Sequence, residues 1–343
     1  MRRDRLFLAV ALVVAVAALA FVSCGGGGGK AKKSTPTTLK KAAAPLIWPL
    51  TGVADPLDQA KTRCAVTVKI DNTSNSLPKY GVEQADVVYE EVVEGGLTRL
   101  AAIFHSQAPT KVGSVRSVRK TDQSLVTPIG GVFAYSGGAP YAIDSINTAP
   151  VVRLDENHAG PAMFRDHTRN APFNLYAHVD QMYARCGEPK PPPPLFAYRS
   201  AKSPVAGGAV SSVRVGFLAG LAVDWTWDAA SGTWQRAVFS RHETESGIPL
   251  APKNVVVMTV SYVGGDPRDG NIGAEATLLG SGKLQVFTAG KVITGTWTRP
   301  DRAKPAKLLD ATGAEIKLAP GQTWVELPDA SYPVTVTAPP SAP

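Results

Sequence analysis

The stretch "ADVVYEEVVEGGLTRLAAIFHS", residues 85–106, contains two apolar runs on either side of the glycine pair 95–96. Two such runs joined by a Gly-Gly pair predict a β-hairpin. With the glycine pair as the loop, Glu90 and Glu94 share one face of the hairpin with Arg99. Carboxylates diagonal to Arg99 across the strands are within reach of its long side chain. The sequence therefore predicts a strand pair that holds an arginine between two glutamates.

The chain continues into a segment rich in serine and arginine, "GSVRSVRK", residues 113–120. Ser114 or Ser117 can cap the start of a helix, because a serine hydroxyl accepts a hydrogen bond from a free backbone N–H. Arg116 and Arg119 are then three residues apart on one surface of that helix. We expect the two arginines to lie beside a helix start, where the helix dipole favours an anion.

The two halves of the folded chain carry different patterns. "AVTVKIDN" at 65–72 and "GVFAYSGG" at 131–138 predict strands, and "PYAIDSINT" at 140–148 predicts a short amphipathic helix. The first half is therefore expected to be an α+β or α/β domain with a mixed sheet. After residue 210 the runs are short, apolar or alternating, with glycine turns between them, and these predict a mostly β domain.

Proline and glycine concentrate between these halves, and the proline run at 191–194 favours an extended conformation that continues neither helix nor sheet. The predicted organisation has six parts: a signal peptide at 1–23, a tether at 24–45, an α/β N-terminal domain at 46–187, a linker at 188–209, a mostly β C-terminal domain at 210–326 and a Pro/Ala-rich tail at 327–343.

The N-terminus has the features of an export signal. Three arginines within residues 2–5 precede the apolar run 6–22, and Ser23 and Cys24 follow. This arrangement resembles a bacterial lipobox, in which the cysteine becomes the acylated first residue of the mature protein. The alternative is an uncleaved N-terminal anchor helix. Both interpretations place the rest of the chain on the outer face of the cytoplasmic membrane, in agreement with the positive-inside rule.

The net charge of the chain is concentrated in this N-terminal part. The full chain carries +8, but residues 1–23 carry +2 and residues 24–41 carry +5, which leaves +1 for residues 42–343. Nucleic-acid binding is therefore not expected, because it requires a basic patch or arm on the folded part. The five lysines of the tether either lie against anionic lipid headgroups, at about 1 kcal/mol each, or are simply solvated.

The three cysteines fit an exported protein. If Cys24 is acylated, Cys64 and Cys186 remain, and a lone pair of cysteines in an exported chain predicts one disulfide. The sequence has no C-x-x-C pair, Cys/His cluster or haem motif, and the five histidines lack ligand spacing. We expect neither a metal nor a cofactor.

Several short motifs resemble the YerB-like family of bacterial lipoproteins, a family of unassigned function with N-terminal and C-terminal domains. The matching pieces are "PLTG" at 49–52, "VKIDN" at 68–72, "QADVVYEE" at 84–91, "EGGLTR" at 94–99, "GSVRSVR" at 113–119, "FRD" at 164–166 and "RNAPFNLY" at 169–176. The resemblance implies a two-domain extracytoplasmic lipoprotein and supplies no activity. The family usually has a histidine where this chain has Phe173, so we assign no catalytic histidine.

The charged residues of these motifs form the candidate ligand site. Arginines near a helix start bind phosphate or carboxylate groups through their planar forks. An ion-pair network within the protein is the alternative explanation, and a catalytic site that holds a metal and a pyrophosphate is a third. The candidate ligand-binding residues are Arg99, Arg116, Arg119, Arg165, Arg169, Glu90 and Glu94.

We therefore expect an extracytoplasmic lipoprotein, anchored in the bacterial membrane through Cys24, that binds an anionic envelope glycopolymer or a protein partner in an arginine-rich cleft. An enzyme of cell-wall glycopolymer metabolism, either a phosphotransferase or a hydrolase, is the alternative function.

The second half also contains most of the tryptophans of the chain. Tryptophans in a small β domain usually pack in the core, and a carbohydrate-stacking platform is the functional alternative. The tryptophans in question are Trp225, Trp227, Trp234, Trp297 and Trp324.

Overall fold

The structure is a computed structural model that describes residues 46–187, 190–200, 202–218, 220–238, 241–242, 244–245, 248–264 and 274–340. The predicted signal peptide, the tether and the lipidation site at Cys24 lie outside the described residues. None of the helices among the described residues combines the length and apolar character that a membrane span requires.

The first half of the chain alternates short strands and helices. Its strands are β1 (Val66–Asp71), β2 (Val87–Val93), β3 (Leu97–Phe104), β4 (Val112–Gly113), β5 (Val132–Ala134), β6 (Val152–Leu154), β7 (Met163–Arg165) and β8 (Leu175–Ala177), and its α-helices are α1 (Lys120–Val126), α2 (Pro140–Asn147) and α3 (Val179–Met182). Single 3-10 turns occupy Gln59–Lys61, Ser74–Ser76, Val82–Gln84, Glu94–Gly96, Gly160–Ala162 and Tyr183–Arg185.

The described part of the second half consists of strands. They are β9 (Ala197–Tyr198), β10 (Gly208–Ala209), β11 (Ser212–Leu218), β12 (Leu221–Asp228), β13 (Thr233–Val238), β14 (Arg241–His242), β15 (Thr244–Glu245), β16 (Ile248–Pro249), β17 (Asn254–Met258), β18 (Tyr262–Val263), β19 (Glu275–Ala276), β20 (Gly280–Thr288), β21 (Lys291–Arg299), β22 (Lys307–Asp310), β23 (Lys317–Leu318), β24 (Thr323–Leu327) and β25 (Val334–Thr337). The predicted fold class, a mixed first half followed by a mostly β second half, is confirmed.

Two sheets organise these strands. The larger sheet has the order β10-β21-β20-β17-β24-β2-β3-β1-β5-β6, with β22 added to β21, and the smaller has the order β14-β13-β12-β11-β25. In the larger sheet β24 pairs in parallel with both β2 and β17, and β5 pairs in parallel with both β1 and β6. A three-stranded sheet of β4, β8 and β7 lies beside this arrangement.

The larger sheet separates two apolar cores. One core joins side chains of β1, β2 and β3 to the smaller sheet and includes the buried Trp225, Trp234 and Trp324. The other core lies on the opposite face and includes Ile103, Leu125 of α1 and the buried Trp297. These four indoles are therefore core residues, and the expectation that most tryptophans of the second half pack in the core is met.

The larger sheet also joins the two sequence regions. The predicted linker and tail take part in the fold: Leu195 and Phe196 are buried, β9 pairs with β23, and β25 pairs with β11. All described residues belong to one compact unit. The regions predicted as two domains, 46–187 and 210–326, therefore share one sheet, because β24 carries the second half into the sheet of the first.

Candidate functional site

The candidate site lies at the carboxyl ends of β1 and β5, which are parallel neighbours in the larger sheet. In the sheet order β2-β3-β1-β5-β6, the connection that follows β1 leads to β2, toward one edge of the sheet. The connection that follows β5 leads through α2 to β6, toward the other edge. Strands whose connections depart in opposite directions leave a crevice outside their carboxyl ends, and ligands of open α/β sheets bind in such crevices. The topology therefore points to this end of the sheet.

Residues 114–118 form an extended segment between these two strand ends, where Val115 forms an antiparallel bridge with Ile70. The backbone N–H of Arg116 donates to the Lys69 carbonyl of β1 at 2.9 Å, and the Arg116 carbonyl accepts from Ser136, just beyond β5, at 3.0 Å. The prediction of a helix capped by Ser114 or Ser117 is wrong, because the two strand ends supply hydrogen-bond partners to an extended backbone. Helix α1 begins only after Arg119. The backbone N–H of Arg119 donates a hydrogen bond to the Asp122 carboxylate at 2.6 Å.

The hairpin of β2 and β3 exists as predicted, but its register differs by one residue. The turn comprises Glu94–Gly96 rather than the glycine pair alone, so Val93 pairs with Leu97 and Glu91 lies opposite Arg99. Both glycines have a φ of 70°, a conformation that favours glycine. Because strand side chains alternate between faces, this one-residue difference places Arg99 on the face of Glu91 and not on the face of Glu90.

Glu90 is therefore not part of the arginine site. Its side chain is fully buried on the opposite face of the sheet, where it accepts hydrogen bonds from Arg236 at 2.6 Å and from Asn72 and Thr98 at 2.8 Å each. The expectation that Glu90 flanks Arg99 is wrong.

Three of the predicted arginines do converge. Arg99 and Arg119 both donate to the Ser117 carbonyl, at 2.9 Å and 3.3 Å. Burial, together with the neighbouring Arg119 and Arg116, lowers the pKa of Arg99 to about 10. Arg99 is 7% exposed, and the side chains of Arg116 and Arg119 are 19% and 14% exposed. We call these three residues the arginine cluster.

Two carboxylates partly neutralise the arginine cluster. Arg116 Nη1 lies 2.8 Å from Asp71 Oδ2, and Arg119 Nε donates to Glu94 Oε2 at 2.6 Å. Burial opposes the ionisation of Glu94, but its interactions, chiefly with Arg119, outweigh burial and lower its pKa. Arg99 donates only to a backbone carbonyl, that of Ser117, at 2.9 Å in the described contacts. Three guanidinium groups thus face two carboxylates.

The sequence did not single out Asp71 as a site residue. It ends β1 within the "VKIDN" motif, and its register opposite Arg99 follows from the β1–β3 pairing. The motif was visible in the sequence, but an aspartate at a strand end has no pattern of its own that marks it as the partner of an arginine.

A second charged group lies beside the arginine cluster on the same face. Lys69 is fully buried and contacts both Glu91 and Asp122, the latter at 2.7 Å. Burial, opposed by Lys69 and reinforced by Asp122, raises the pKa of Glu91 to about 7. This triad is therefore close to neutral below pH 7 and contributes little negative charge to offset the arginine cluster.

The rim of the crevice is polar. The hydroxyls of Ser117 and Ser136 lie 3.5 Å apart, and a Cβ atom added to Gly137 would meet no atom within 4 Å, so there is open space beside them. Tyr141, which is 40% exposed, donates its hydroxyl to Glu94 at 3.2 Å. A small anion beside the arginine cluster would therefore meet hydroxyl groups as well as guanidinium groups.

Phe173 also reaches the cluster. The centre of its ring lies 5.3 Å from the guanidinium carbon of Arg116. An aromatic ring within about 6 Å of a guanidinium group attracts it through the ring quadrupole. The position at which we assigned no catalytic histidine is thus part of the site, and in this chain it supplies a ring that cannot transfer a proton.

The other two predicted arginines have partners of their own. Arg165 donates to Glu156 at 2.7 Å and to Asn174 at 2.7 Å. Arg169 donates to the Tyr176 hydroxyl at 2.8 Å and to three backbone carbonyls of the segment before β2, those of Asn75, Leu77 and Pro78. The described contacts therefore do not bring Arg165 or Arg169 to the arginine cluster, and Arg169 holds a loop in place.

The predicted disulfide is present. Cys64 and Cys186 are bonded, with their Cα atoms 6.3 Å apart, and join the start of β1 to the end of the first half across 122 residues. This covalent link lies at the end of β1 opposite to the crevice, because Cys64 precedes the strand and Asp71 ends it.

Comparison with known proteins places the chain in a family. Residues 50–190 match the family described as "Protein of unknown function (DUF3048) N-terminal domain", and residues 213–325 match the corresponding C-terminal domain. The chain is 28% identical over 327 residues to the Bacillus subtilis (strain 168) protein named "Putative lipoprotein YerB", which covers 91% of this chain and 94% of that protein. The crystal structure of YerB protein from Bacillus subtilis has a TM-score of 0.73 at 24% identity and covers 84% of this chain and 99% of that one. The chain belongs to the DUF3048 family and has the fold of the YerB structure.

Proposed function

We propose that this DUF3048 protein is an extracytoplasmic lipoprotein that binds a phosphate or carboxylate group of the cell envelope at the arginine cluster. The observation that carries the proposal is the charge imbalance: three largely buried guanidinium groups face two carboxylates at the carboxyl ends of β1 and β5. An anion bound there would supply the missing negative charge. The hydrogen bonds that arginines form with such groups are charge-assisted and therefore comparatively strong.

The proposed location has independent support. The segment that ends at Cys24 has the pattern of a lipoprotein signal, and a relative at 28% identity carries the name "Putative lipoprotein YerB". The disulfide between Cys64 and Cys186 suits an oxidising compartment outside the cytoplasm. The five lysines of residues 24–41 would lie near the headgroups of the same membrane.

Binding accounts for the arginine cluster better than catalysis does. The described polar neighbours of the cluster are two serines, a tyrosine, two carboxylates that are already paired with arginines, and Asp122, which pairs with Lys69. A nucleophile needs an adjacent general base within hydrogen-bond reach, and the described contacts of Ser117 and Ser136 include none. We therefore favour a binding module over an enzyme of glycopolymer metabolism.

Calorimetric titration of the full-length protein in detergent with inorganic phosphate, glycerol phosphate and a poly(glycerol phosphate) fragment tests the proposal. Arg119→Ala should weaken binding of the phosphate ligand about 10- to 100-fold, since a hydrogen bond to a charged group contributes about 1.5–3 kcal/mol. Arg119 suits this test because its partner Glu94 is 22% exposed and can be solvated when the arginine is removed.

Arg214→Ala is the matched control. Arg214 forms an ion pair with Asp224 on the smaller sheet, and its side chain is 59% exposed. The control variant should bind the phosphate ligand as the wild type does. Equal affinity of Arg119→Ala and wild type, or no binding by the wild type of any phosphate or carboxylate ligand, would contradict the proposed function.

A further inference from the structure

A second cavity lies away from the arginine cluster, in the part of the fold built by the second half of the chain. It has a volume of about 560 Å³, and it is bordered by the end of β17, the β20–β21 hairpin and the segment that leads into β25. Small-molecule sites have volumes of about 300–1,000 Å³. None of its lining residues belongs to the arginine cluster or to the partners of that cluster.

The lining of this cavity combines apolar groups with uncharged polar side chains. Six of them carry a hydroxyl or an amide, and within the described residues none of the six makes a side-chain hydrogen bond to another part of the protein. The six are Thr259, Ser261, Thr277, Ser281, Gln285 and Thr294. Each hydroxyl can both donate and accept a hydrogen bond, and the amide can do the same through its two ends.

The walls of the cavity are held by the backbone and not by these side chains. The Thr259 N–H donates to the Lys283 carbonyl at 3.0 Å, and the Thr277 N–H donates to the Ser261 carbonyl at 2.8 Å. The Trp297 indole N–H donates to the Thr259 carbonyl at 2.9 Å. The lining hydroxyls are therefore positioned by a fixed backbone and stay free for a ligand, which lowers the ordering cost of binding.

Apolar groups complete the lining. Tyr332 contributes aromatic surface, Leu279 is 38% exposed, and Lys283 is the charged side chain of the lining, whereas Trp297 borders the cavity but is itself buried. A strongly anionic or cationic ligand would find at most one counter-charge here. A purely apolar ligand would bury the six polar groups without partners, which is unfavourable.

We infer that this cavity binds an uncharged stretch of polysaccharide. A sugar ring presents hydroxyls that match the donor and acceptor groups of the lining, and it presents C–H faces that pack on aromatic and aliphatic side chains. The inference does not rest on the arginine cluster, because it concerns different residues and a ligand without charge. The arginine cluster would bind an anionic group of the envelope, and this cavity would bind a neutral glycan of the envelope.

Saturation-transfer NMR and calorimetry on the full-length protein in detergent test this inference, with chitotetraose, maltotetraose and cellotetraose as probes. Thr294→Trp places a large side chain in the cavity from an exposed strand position, and Gln285→Ala removes the amide that lies opposite Thr294 on the neighbouring strand. Thr226→Trp is the matched control, because Thr226 is an exposed strand threonine of the smaller sheet.

We expect at least one of the three glycans to show saturation transfer with the wild type and with Thr226→Trp. The dissociation constant should rise at least tenfold in Thr294→Trp and several-fold in Gln285→Ala. If Thr294→Trp fails to fold, Gln285→Ala alone decides. The inference is overturned if the wild type binds none of the three glycans at millimolar concentration, or if the cavity variants bind as tightly as the control.

Discussion

Glu90 on β2 lies directly opposite Glu326 on β24 in the larger sheet, and both side chains are fully buried. Burial first, and then the charge of Glu90, raises the pKa of Glu326 well above its ordinary value. Arg236 donates to Glu90 at 2.6 Å, and the Trp225 indole donates to Glu326 at 2.7 Å. Both effects favour the protonated form of Glu326, which lies beside the Glu90 carboxyl that pairs with Arg236.

The first prediction concerns the ionisation of Glu326. An acid whose pKa is raised by folding stabilises the protein below its unfolded pKa, near 4.5, and this contribution is lost as pH rises toward the folded pKa. Glu326→Gln keeps an acceptor for Trp225 and a donor for Glu90 but cannot ionise. Its free energy of unfolding, measured by urea denaturation, should exceed that of the wild type by at least about 1 kcal/mol at pH 8.5, and the difference should shrink toward pH 5.5.

Two further variants make this prediction specific. Glu315→Gln, at an exposed position, should leave the pH dependence of stability unchanged. Glu90→Gln should destabilise the protein at every pH, because it removes the charge partner of the buried Arg236, a loss of about 3–5 kcal/mol. A constant difference between wild type and Glu326→Gln from pH 5.5 to 8.5 would contradict a raised pKa of Glu326.

The second prediction concerns the buried lysine beside the arginine cluster. Lys69→Met keeps most of the side-chain volume but leaves Glu91 and Asp122 without their cation. We expect a loss of about 3–5 kcal/mol in the free energy of unfolding at pH 8. The loss should be smaller at pH 6, because burial raises the pKa of Glu91 to about 7 and the carboxyl is then mostly neutral.

The double variant Lys69→Met with Glu91→Gln should recover part of this loss, because it removes one of the two stranded charges. Lys307→Met, at an exposed position of β22, is the control and should change the stability by less than about 0.5 kcal/mol. A loss below about 1 kcal/mol in Lys69→Met would mean that water or another cation reaches the two carboxylates.

The third prediction concerns the disulfide. Cys64 and Cys186 close a large loop, with a sequence separation of 122 residues. Replacing both cysteines by serine should lower the free energy of unfolding by about 2–5 kcal/mol. Dithiothreitol should lower the melting temperature of the wild type to that of the variant and should leave the variant unchanged. Free thiols at both positions in the native oxidised protein would rule out the bond.

The fourth prediction concerns the membrane anchor, which lies outside the described residues. Cys24→Ala should abolish incorporation of radiolabelled palmitate and leave the protein either mis-sorted or as an uncleaved precursor, because the acylated thiol is absent. Cys64→Ser serves as the comparison, since that cysteine belongs to the disulfide and not to the anchor. Equal labelling of Cys24→Ala and wild type would exclude the lipoprotein assignment.

Local features of the chain were determined by the sequence alone. The alternation and apolar runs around the glycine pair 95–96 specify two strands and a turn, because strand side chains alternate between faces and glycine permits the turn conformation. The pairing of Cys64 with Cys186 followed from the number of cysteines, because the chain has three and Cys24 is assigned to the anchor. The convergence of Arg116 and Arg119 near Arg99 was also expected, although the reason given for it, a common helix, was wrong.

Only the tertiary structure decided which side chains meet. The turn contains three residues instead of the predicted two. The extra residue shifts the strand register, so Arg99 lies on the same face as Glu91 and Asp71 and not on the face of Glu90. Residues 114–118 are extended, because the ends of β1 and β5 offer them backbone partners. Glu90 meets Glu326 because β24 pairs with β2 across more than two hundred residues of chain. Such contacts depend on strand pairing between distant segments, whereas sequence patterns report only the preferences of neighbours along the chain.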